Sequence, residues 1–239
     1  MDVDRDGRLR GWSLRLAERI AGTQGGLLYA NLSVRGATTR EVVERQLERA
    51  LSMRPDLATV FSGTNDVLRA RFDPEAFAAD VARLQSALRA AGATVLTFTL
   101  PDLTPLLPLA RVVARRILRM NEAVRAACAD TGVRLVDLAT VPFATDARLW
   151  HEDRIHANAE GHARIADALA EALGLPGSNG SWRSPLPEAR ALSPAETAWR
   201  ELRWAARYLL PWGVHALFVR GATARSEGRR PQLGEVWPG

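Results

Sequence analysis

Short apolar runs alternate with longer amphipathic stretches over the first 174 residues. The apolar runs are continuous and predict buried strands at residues 27–32, 57–62, 94–100 and 134–138. The amphipathic stretches predict helices at residues 11–21, 38–53, 73–91, 110–129 and 158–174. Strands that alternate with helices in this way are typical of βαβ units. The pattern therefore predicts an α/β domain, in which helices cover both faces of a parallel sheet in three α/β/α layers.

Local signals mark several of the predicted helix ends. Thr38 is followed three residues later by Glu41, the spacing of a capping box. Asp73 precedes Pro74, which favours the first turn of a helix, and Gly92 predicts where that helix ends. These signals place helix starts near residues 38 and 73.

The chain changes character after residue 174. Residues 175–193 are rich in Pro, Ser and Gly, which predicts a linker between residues 1–174 and residues 194–239. Residues 194–210 predict a helix that carries Trp199 and Trp204, and residues 220–239 have a Gly/Arg/Pro-rich composition that predicts disorder. The helix can dock on the domain, contact a partner or lie on a membrane surface, and we expect docking.

Composition narrows the class of protein. The formal charge is +5, and all 32 basic residues are arginine. The 27 acidic residues interleave with them, so we expect no nucleic-acid partner. Cys128 is the single cysteine; it excludes an intrachain disulfide, and we expect it to be buried in a helix. No signal peptide or run of 18 apolar residues occurs, so we expect a cytoplasmic location.

Three segments with polar residues come after predicted strands, near the carboxyl ends where parallel sheets bind ligands. Gly36 precedes a helix, Asn65 can donate from its amide, and Asp153 can orient the imidazole of His156. Taken alone, each is more typical of a turn, a cap or a surface residue. His151, Asp153 and His156 also raise the possibility of a metal site, but further ligands at suitable spacing are missing, so we expect no metal and no cofactor.

Taken in order, these segments resemble three of the four sequence blocks of the SGNH (GDSL-type) hydrolases. Residues 31–36 read Asn-Leu-Ser-Val-Arg-Gly, residues 63–66 read Gly-Thr-Asn-Asp and residues 153–156 read Asp-Arg-Ile-His. The resemblance spans residues 11–173. It implies a flavodoxin-like fold and hydrolysis of carboxylic esters, with small-molecule, lipid or carbohydrate esters as substrates.

The resemblance also implies a role for each site residue. His156 would be the general base and Asp153 would orient it, as in a serine triad. The backbone N–H of Gly36 and the amide of Asn65 would be the oxyanion-hole donors. The reaction would pass through an acyl-serine intermediate.

The remaining block of the family, a Gly-Asp-Ser at the end of its first strand, does not occur in the sequence. Ser13, Ser33 and Ser62 do not stand in a strand-to-helix elbow, so we expect no substitute nucleophile. The family's first strand lies between its second and third, so the strands beside it would lose ladder partners.

Two explanations follow from this gap. Either translation begins upstream of Met1, or the chain is a decayed copy. We favour the first, because Asp153 and His156 are retained. The alternative functions are a non-catalytic binding protein on the same fold and an Arg-rich interaction protein that acts through its tail.

Overall fold

The computed structural model describes residues 10–107, 110–188, 190, 192–209, 211 and 228–238. Its main sheet contains three parallel strands, β2 (Leu57–Thr59), β3 (Thr94–Phe98) and β4 (Arg134–Val136). β3 lies between the other two, with Leu57 opposite Thr94 and Leu96 opposite Arg134. The prediction of a parallel sheet is confirmed for these strands, although each is shorter than the apolar run that predicted it.

β3 divides the core into two halves because its side chains alternate between the faces of the sheet. Val95 is buried in a cluster with Leu84 and Met120, whereas Leu96 is buried in a second cluster with Leu16 and Leu169. Helices therefore cover both faces of the sheet, which confirms the predicted three layers.

The helices that form the outer layers follow the predicted order, with one short addition, α4, which the sequence did not predict. They are α1 (Gly11–Gln24), α2 (Thr39–Arg45), α3 (Leu47–Ser52), α4 (Thr64–Leu68), α5 (Pro74–Ala90), α6 (Arg111–Thr131) and α7 (Ala159–Leu173). Three short 3₁₀ turns, at Leu138–Thr140, Pro142–Thr145 and Ala147–Leu149, lead from β4 towards α7.

The predicted caps are present at α2 and α5. The Glu41 N–H donates to the Thr38 hydroxyl and the Thr38 N–H donates to the Glu41 carboxylate, which together form the capping box. Asp73 accepts hydrogen bonds from two N–H groups of the first turn of α5. The single helix predicted over residues 38–53 is instead two helices, because the backbone at Gln46 leaves regular helical geometry at φ −117°.

The strand predicted at residues 27–32 forms as β1 (Leu27–Asn31) but lies outside the parallel sheet. It pairs antiparallel with β5 (Arg230–Val236), with Leu27 opposite Val236. The expectation of a fully buried parallel strand is therefore wrong here, and Leu28 is 62% exposed. β5 satisfies backbone groups of β1 that would otherwise need another ladder partner.

The prediction of disorder over residues 220–239 is wrong for residues 230–236, which form β5 and pair with β1. Val236 is buried against Ala17 and Ala21 of α1, and this burial holds the strand on the domain. Residues 220–227 lie outside the described residues.

The segment after α7 packs on the domain. Trp182, in a 3₁₀ turn at Ser181–Arg183, is 6% exposed and belongs to the core cluster of Leu96 and Leu169. The predicted C-terminal helix forms as α8 (Pro194–Trp204) and continues as a π-helical turn, Ala205–Leu209. Residues 175–193 thus include a core residue as well as a connection to α8.

Two further features concern helices. Cys128 is buried in α6 as expected, and burial raises the pKa of its thiol. Within the described ranges, no helix is both long enough and apolar enough to cross a bilayer.

Candidate active site

Residues 150–157, which we name the Asp-His loop, form a closed hairpin before α7. Trp150 and Ala157 pair as an antiparallel bridge, and the His151 N–H donates to the His156 carbonyl at 2.8 Å. Arg154 turns the chain at the tip with a left-handed φ of 62°. The loop therefore holds Asp153 and His156 on one short, hydrogen-bonded turn.

The Asp153 carboxylate binds both the backbone of this turn and the imidazole of His156. Its Oδ1 accepts the N–H groups of Ile155 and His156, each at 3.0 Å. Its Oδ2 lies 2.9 Å from His156 Nδ1. A neutral imidazole that donates from Nδ1 has a free acceptor at Nε2, the form that a general base requires. The His156 side chain is 58% exposed, so Nε2 is open to a reacting group.

The ionisation of Asp153 follows from these contacts. Burial by itself would raise the pKa of this carboxyl. The hydrogen bonds from the His156 ring and from the N–H groups of His156 and Ile155 outweigh burial and hold the pKa well below its ordinary value. Asp153 is therefore an anion at neutral pH and can stabilise an imidazolium at His156.

His151 adds a second imidazole beside the same carboxylate. Its Nδ1 lies 3.3 Å from Asp153 Oδ2 and also 3.3 Å from the Asp153 backbone nitrogen, which donates to it. Asp153 therefore lies between two histidines. From the sequence, His151 was considered only as a possible metal ligand. Among the described residues, no three His, Cys, Asp or Glu side chains converge on a metal-binding geometry.

Asn158 and Gly161 fix the base of the Asp-His loop to α7. The Asn158 amide donates to the carbonyls of Arg148 and Trp150, and its oxygen accepts the Gly161 N–H as the cap of α7. A Cβ at Gly161 would lie 2.2 Å from the Leu149 carbonyl oxygen. Only glycine allows the loop to approach the helix this closely.

The structure also brings together the other two predicted site residues. The Asn65 side-chain amide donates to the carbonyl of Ala37, the residue after Gly36, at 2.9 Å. An amide nitrogen carries two N–H groups, so one is left for a ligand. Gly36 has φ 81°, which glycine adopts without strain and which turns the backbone before α2.

Asp66 joins these two segments. Its Oδ2 accepts the Thr39 N–H at 3.0 Å and the Thr39 hydroxyl at 3.1 Å, at the first turn of α2. Burial raises the pKa of Asp66, and the bonds from Thr39 oppose that shift. Asp66 therefore acts as a cap contributed from a distant part of the chain. It fixes the Gly36 turn relative to Asn65.

Gly63 is the other constrained position of this segment. It has φ 111°, and a Cβ there would lie 2.6 Å from Met120 Sδ. The close contact packs the start of α4 against α6 and sets the position of Asn65 two residues later.

The candidate residues thus form two groups, Asp153 with His156 and Asn65 with the Gly36 turn. No hydrogen bond between described residues links one group to the other. Two of the three serines considered from the sequence have other partners: Ser13 accepts from Tyr29 at 2.9 Å, and Ser62 accepts from Thr39 at 3.0 Å. In the part of the chain that the structure describes, no serine hydroxyl is hydrogen-bonded to His156.

α8 contacts the Asp-His loop closely, a feature that was not predicted from the sequence. Arg154 donates to both carboxylate oxygens of Glu201, at 2.6 and 2.7 Å, and to the Leu106 carbonyl. Its guanidinium lies 4.5 Å from the centroid of the Trp204 ring. The docking that we expected for this helix is therefore onto the site itself. The signal in the sequence was an arginine between Asp153 and His156 and a glutamate on the helix.

Comparison with known families and structures identifies the chain's relatives. The profile of the GDSL-like Lipase/Acylhydrolase family matches residues 2–164. The chain belongs to this family. The match includes the Gly36 turn, Asn65 and the Asp-His loop, so the resemblance noted from the sequence is confirmed. A comparison with curated proteins finds no match.

Solved structures similar to this GDSL-like family member include esterases. The psychrotrophic esterase EstA from Pseudoalteromonas sp., determined with monoethylphosphonate as inhibitor, has a TM-score of 0.54 and 19% identity over 69% of this chain and 86% of its own. TesA has a TM-score of 0.53 and 25% identity over 69% and 87%. Axe2, an acetylxylan esterase from Geobacillus stearothermophilus, has a TM-score of 0.53 and 18% identity over 70% and 83%. These likenesses support the fold.

Proposed function

We propose that this GDSL-like family member contributes the histidine–aspartate half of a serine esterase site. The observation that carries the proposal is the contact between Asp153 Oδ2 and His156 Nδ1 at 2.9 Å, with the rest of the imidazole exposed. In this arrangement His156 Nε2 takes the proton of a serine hydroxyl as that oxygen attacks the ester carbonyl. The ionised Asp153 stabilises the imidazolium that forms.

The remaining steps follow from the same residues. The Gly36 N–H and the second N–H of the Asn65 amide would stabilise the oxyanion of the tetrahedral intermediate. His156 then gives its proton to the leaving alcohol. In the second half of the reaction it takes a proton from water as that water attacks the acyl-serine. It then returns the proton to the serine oxygen as the acid leaves.

We assign the nucleophile to a Gly-Asp-Ser segment that is not among residues 1–239. The support is twofold: this triplet does not occur in the sequence, and Ser13 and Ser62 are hydrogen-bonded to residues other than His156. Several of the similar structures are described as acetylxylan esterases. Acetylated sugars therefore belong in the substrate panel, together with short acyl and lipid esters.

The test compares two forms of the protein. One is the chain of 239 residues, and the other is extended by the in-frame codons upstream of Met1. Each is treated with a fluorophosphonate, which labels activated serines, and is assayed with p-nitrophenyl acetate. We expect label and hydrolysis only in the extended form, with the label on the serine of a Gly-Asp-Ser.

Two substitutions in the extended form complete the test. His156→Ala should reduce hydrolysis by about 10³-fold or more, because the base acts as a unit with the serine. Arg49→Gln, an exposed change on α3, should leave it unchanged. Labelling of Ser13, Ser33 or Ser62 would refute the assignment of the nucleophile. Activity of His156→Ala within a few-fold of wild type would refute the role of His156. An extended form that binds esters without hydrolysing them would support a binding protein instead.

A further inference from the structure

A cavity of about 440 Å³ lies between the Asp-His loop and α8. Its walls include His151 and Glu152 of the loop, Leu106 of a neighbouring segment, and Trp204 of the helix. Its volume is in the range of small-molecule sites, which run from roughly 300 to 1,000 Å³. Because His151 Nδ1 lies 3.3 Å from Asp153 Oδ2, the wall of the cavity contacts the Asp153–His156 pair directly.

The lining of this cavity is strongly basic. It contains five arginines against two glutamates, a formal surplus of three positive charges. Concave surfaces lined by charges of one sign concentrate ligands of the opposite sign. The charge therefore favours an anionic ligand.

The partners of the arginines show which of them are free to bind it. Arg154 is occupied by the bidentate contact with Glu201, and Arg148 by Asp146 at 2.6 Å. Arg200 lies 3.5 Å from Glu201, whose carboxylate is already engaged by Arg154. Among the described residues, Arg203 forms no ion pair, although its neighbours Arg200, Glu201 and Arg207 do. Arg207 pairs with Glu152 at 3.4 Å. Arg203 is therefore the guanidinium available to an anion, and Arg200, one turn before it on α8, would exchange its 3.5 Å contact with Glu201 for the same anion.

A second observation also indicates a missing acceptor. The indole nitrogen of Trp204 is buried, and no described residue accepts its N–H. Buried donors in native proteins nearly always have a partner. Trp204 also lines the cavity, where an anion oxygen would be an acceptor of the required kind.

We propose that this cavity binds an anionic group, a carboxylate or a phosphate, that forms part of the ester substrate. The inference rests on the proposed function, because it assigns the cavity to the substrate of the Asp153–His156 site. The anion would bind Arg200 and Arg203 of α8, with the scissile ester directed towards the Asp-His loop. Selectivity for charged esters would then come from α8, beyond the residues that match the family profile.

The binding test uses the chain of 239 residues and requires no turnover. Monomethyl succinate, which carries one carboxylate, is compared with dimethyl succinate, its neutral counterpart, and with inorganic phosphate. The indole N–H signals of Trp150 and Trp204 report binding by NMR, and sodium chloride at equal ionic strength controls for screening. We expect saturable shifts with monomethyl succinate and with phosphate, and none with dimethyl succinate.

Matched variants locate the bound anion. Arg200→Gln/Arg203→Gln should weaken monomethyl succinate binding about tenfold, because both removed groups form charge-assisted contacts. Arg49→Gln, which removes an exposed arginine from α3, should leave the Kd unchanged. Equal shifts with dimethyl succinate or with chloride, or equal weakening in Arg49→Gln, would overturn the proposal.

The two proposals fail separately. Hydrolysis of neutral p-nitrophenyl acetate by the extended form reports on the Asp153–His156 chemistry. Anion binding by the chain of 239 residues reports on the cavity. Saturable binding that is weakened about tenfold in Arg200→Gln/Arg203→Gln supports the anion site whatever the esterase assay shows. If the extended form hydrolyses p-nitrophenyl acetate and shows no preference for monoanionic esters, the cavity is not a substrate subsite.

Discussion

The contact between Arg154 and Glu201 makes a quantitative prediction about how α8 supports the Asp-His loop. The Arg154 side chain is 15% exposed, and its guanidinium binds both Glu201 oxygens, the Leu106 carbonyl and the face of Trp204. Glu201→Gln keeps the shape of the side chain and removes its charge. Arg154 would then be a largely buried cation without its carboxylate.

Two known ranges of interaction energy set the scale for the coupling energy between Arg154 and Glu201. Fully exposed ion pairs contribute roughly 0.2–1 kcal/mol, whereas hydrogen bonds to charged groups contribute about 1.5–3 kcal/mol. Because Glu201 is 43% exposed, we expect a coupling energy at the upper end of the first range, about 1 kcal/mol. For a protein of this size, that corresponds to a fall in Tm of about 2–4 °C.

The assay is a double-mutant cycle of Glu201→Gln and Arg154→Gln, measured by urea denaturation. Arg190→Gln provides the control. Its side chain is 73% exposed and pairs with Glu196 at the start of the same helix, so its effect should stay within about 0.5 kcal/mol. Hydrogen exchange of the His151 N–H, which donates within the loop, should speed up in Glu201→Gln and stay unchanged in Arg190→Gln.

The pH dependence of the coupling has a definite sign. Arg154 lowers the pKa of Glu201 in the folded state. The contribution should therefore be complete above the pKa of Glu201 in the unfolded state, and it should be lost as the pH falls through the lower, folded pKa. A coupling energy below about 0.3 kcal/mol at pH 7 would be within ordinary additivity and would show that the pair does not anchor α8.

Three further predictions concern the loop and its supports. Asp153→Asn should lower the free energy of unfolding at pH 7, as measured by urea denaturation. The difference from wild type should shrink below about pH 4, because the contacts that lower the pKa of Asp153 stabilise only its ionised form. Gly161→Ala should lower the free energy of unfolding by about 1–3 kcal/mol, because the added Cβ overpacks against the Leu149 carbonyl. The matched variant Gly22→Ala, where a Cβ meets nothing within 4 Å, should be neutral or stabilising when both are compared by thermal denaturation. Thr38→Ala should cost about 1 kcal/mol by removing the capping box, with stability again read from Tm.

The sequence predicted those features that depend on neighbouring residues. The capping box of Thr38 and Glu41 and the cap of Asp73 require only local spacing, and both formed where the sequence indicated. The Asp153–His156 contact is also local, because the two residues share one turn. β3 was predicted from its continuous apolar run, since a central strand is buried on both faces.

Features that depend on distant partners were missed. β5 contains Arg230, Pro231, Gln232 and Gly234, so its composition is typical of disorder, and it is ordered through its pairing with β1 and the burial of Val236. Sequence proximity also gives no indication that Glu201 reaches Arg154. Both arrangements depend on tertiary contacts, which override local propensity.

The pairing of β1 with β5 also has a consequence for biosynthesis. The two strands are separated by about 200 residues, and translation proceeds at roughly 5–20 residues per second. β1 therefore emerges from the ribosome about 10–40 s before the strand that completes its ladder. During that interval β1 has an unpaired edge that carries the exposed Leu28, so we expect it to be open to pairing with other chains until residues 230–236 have been made.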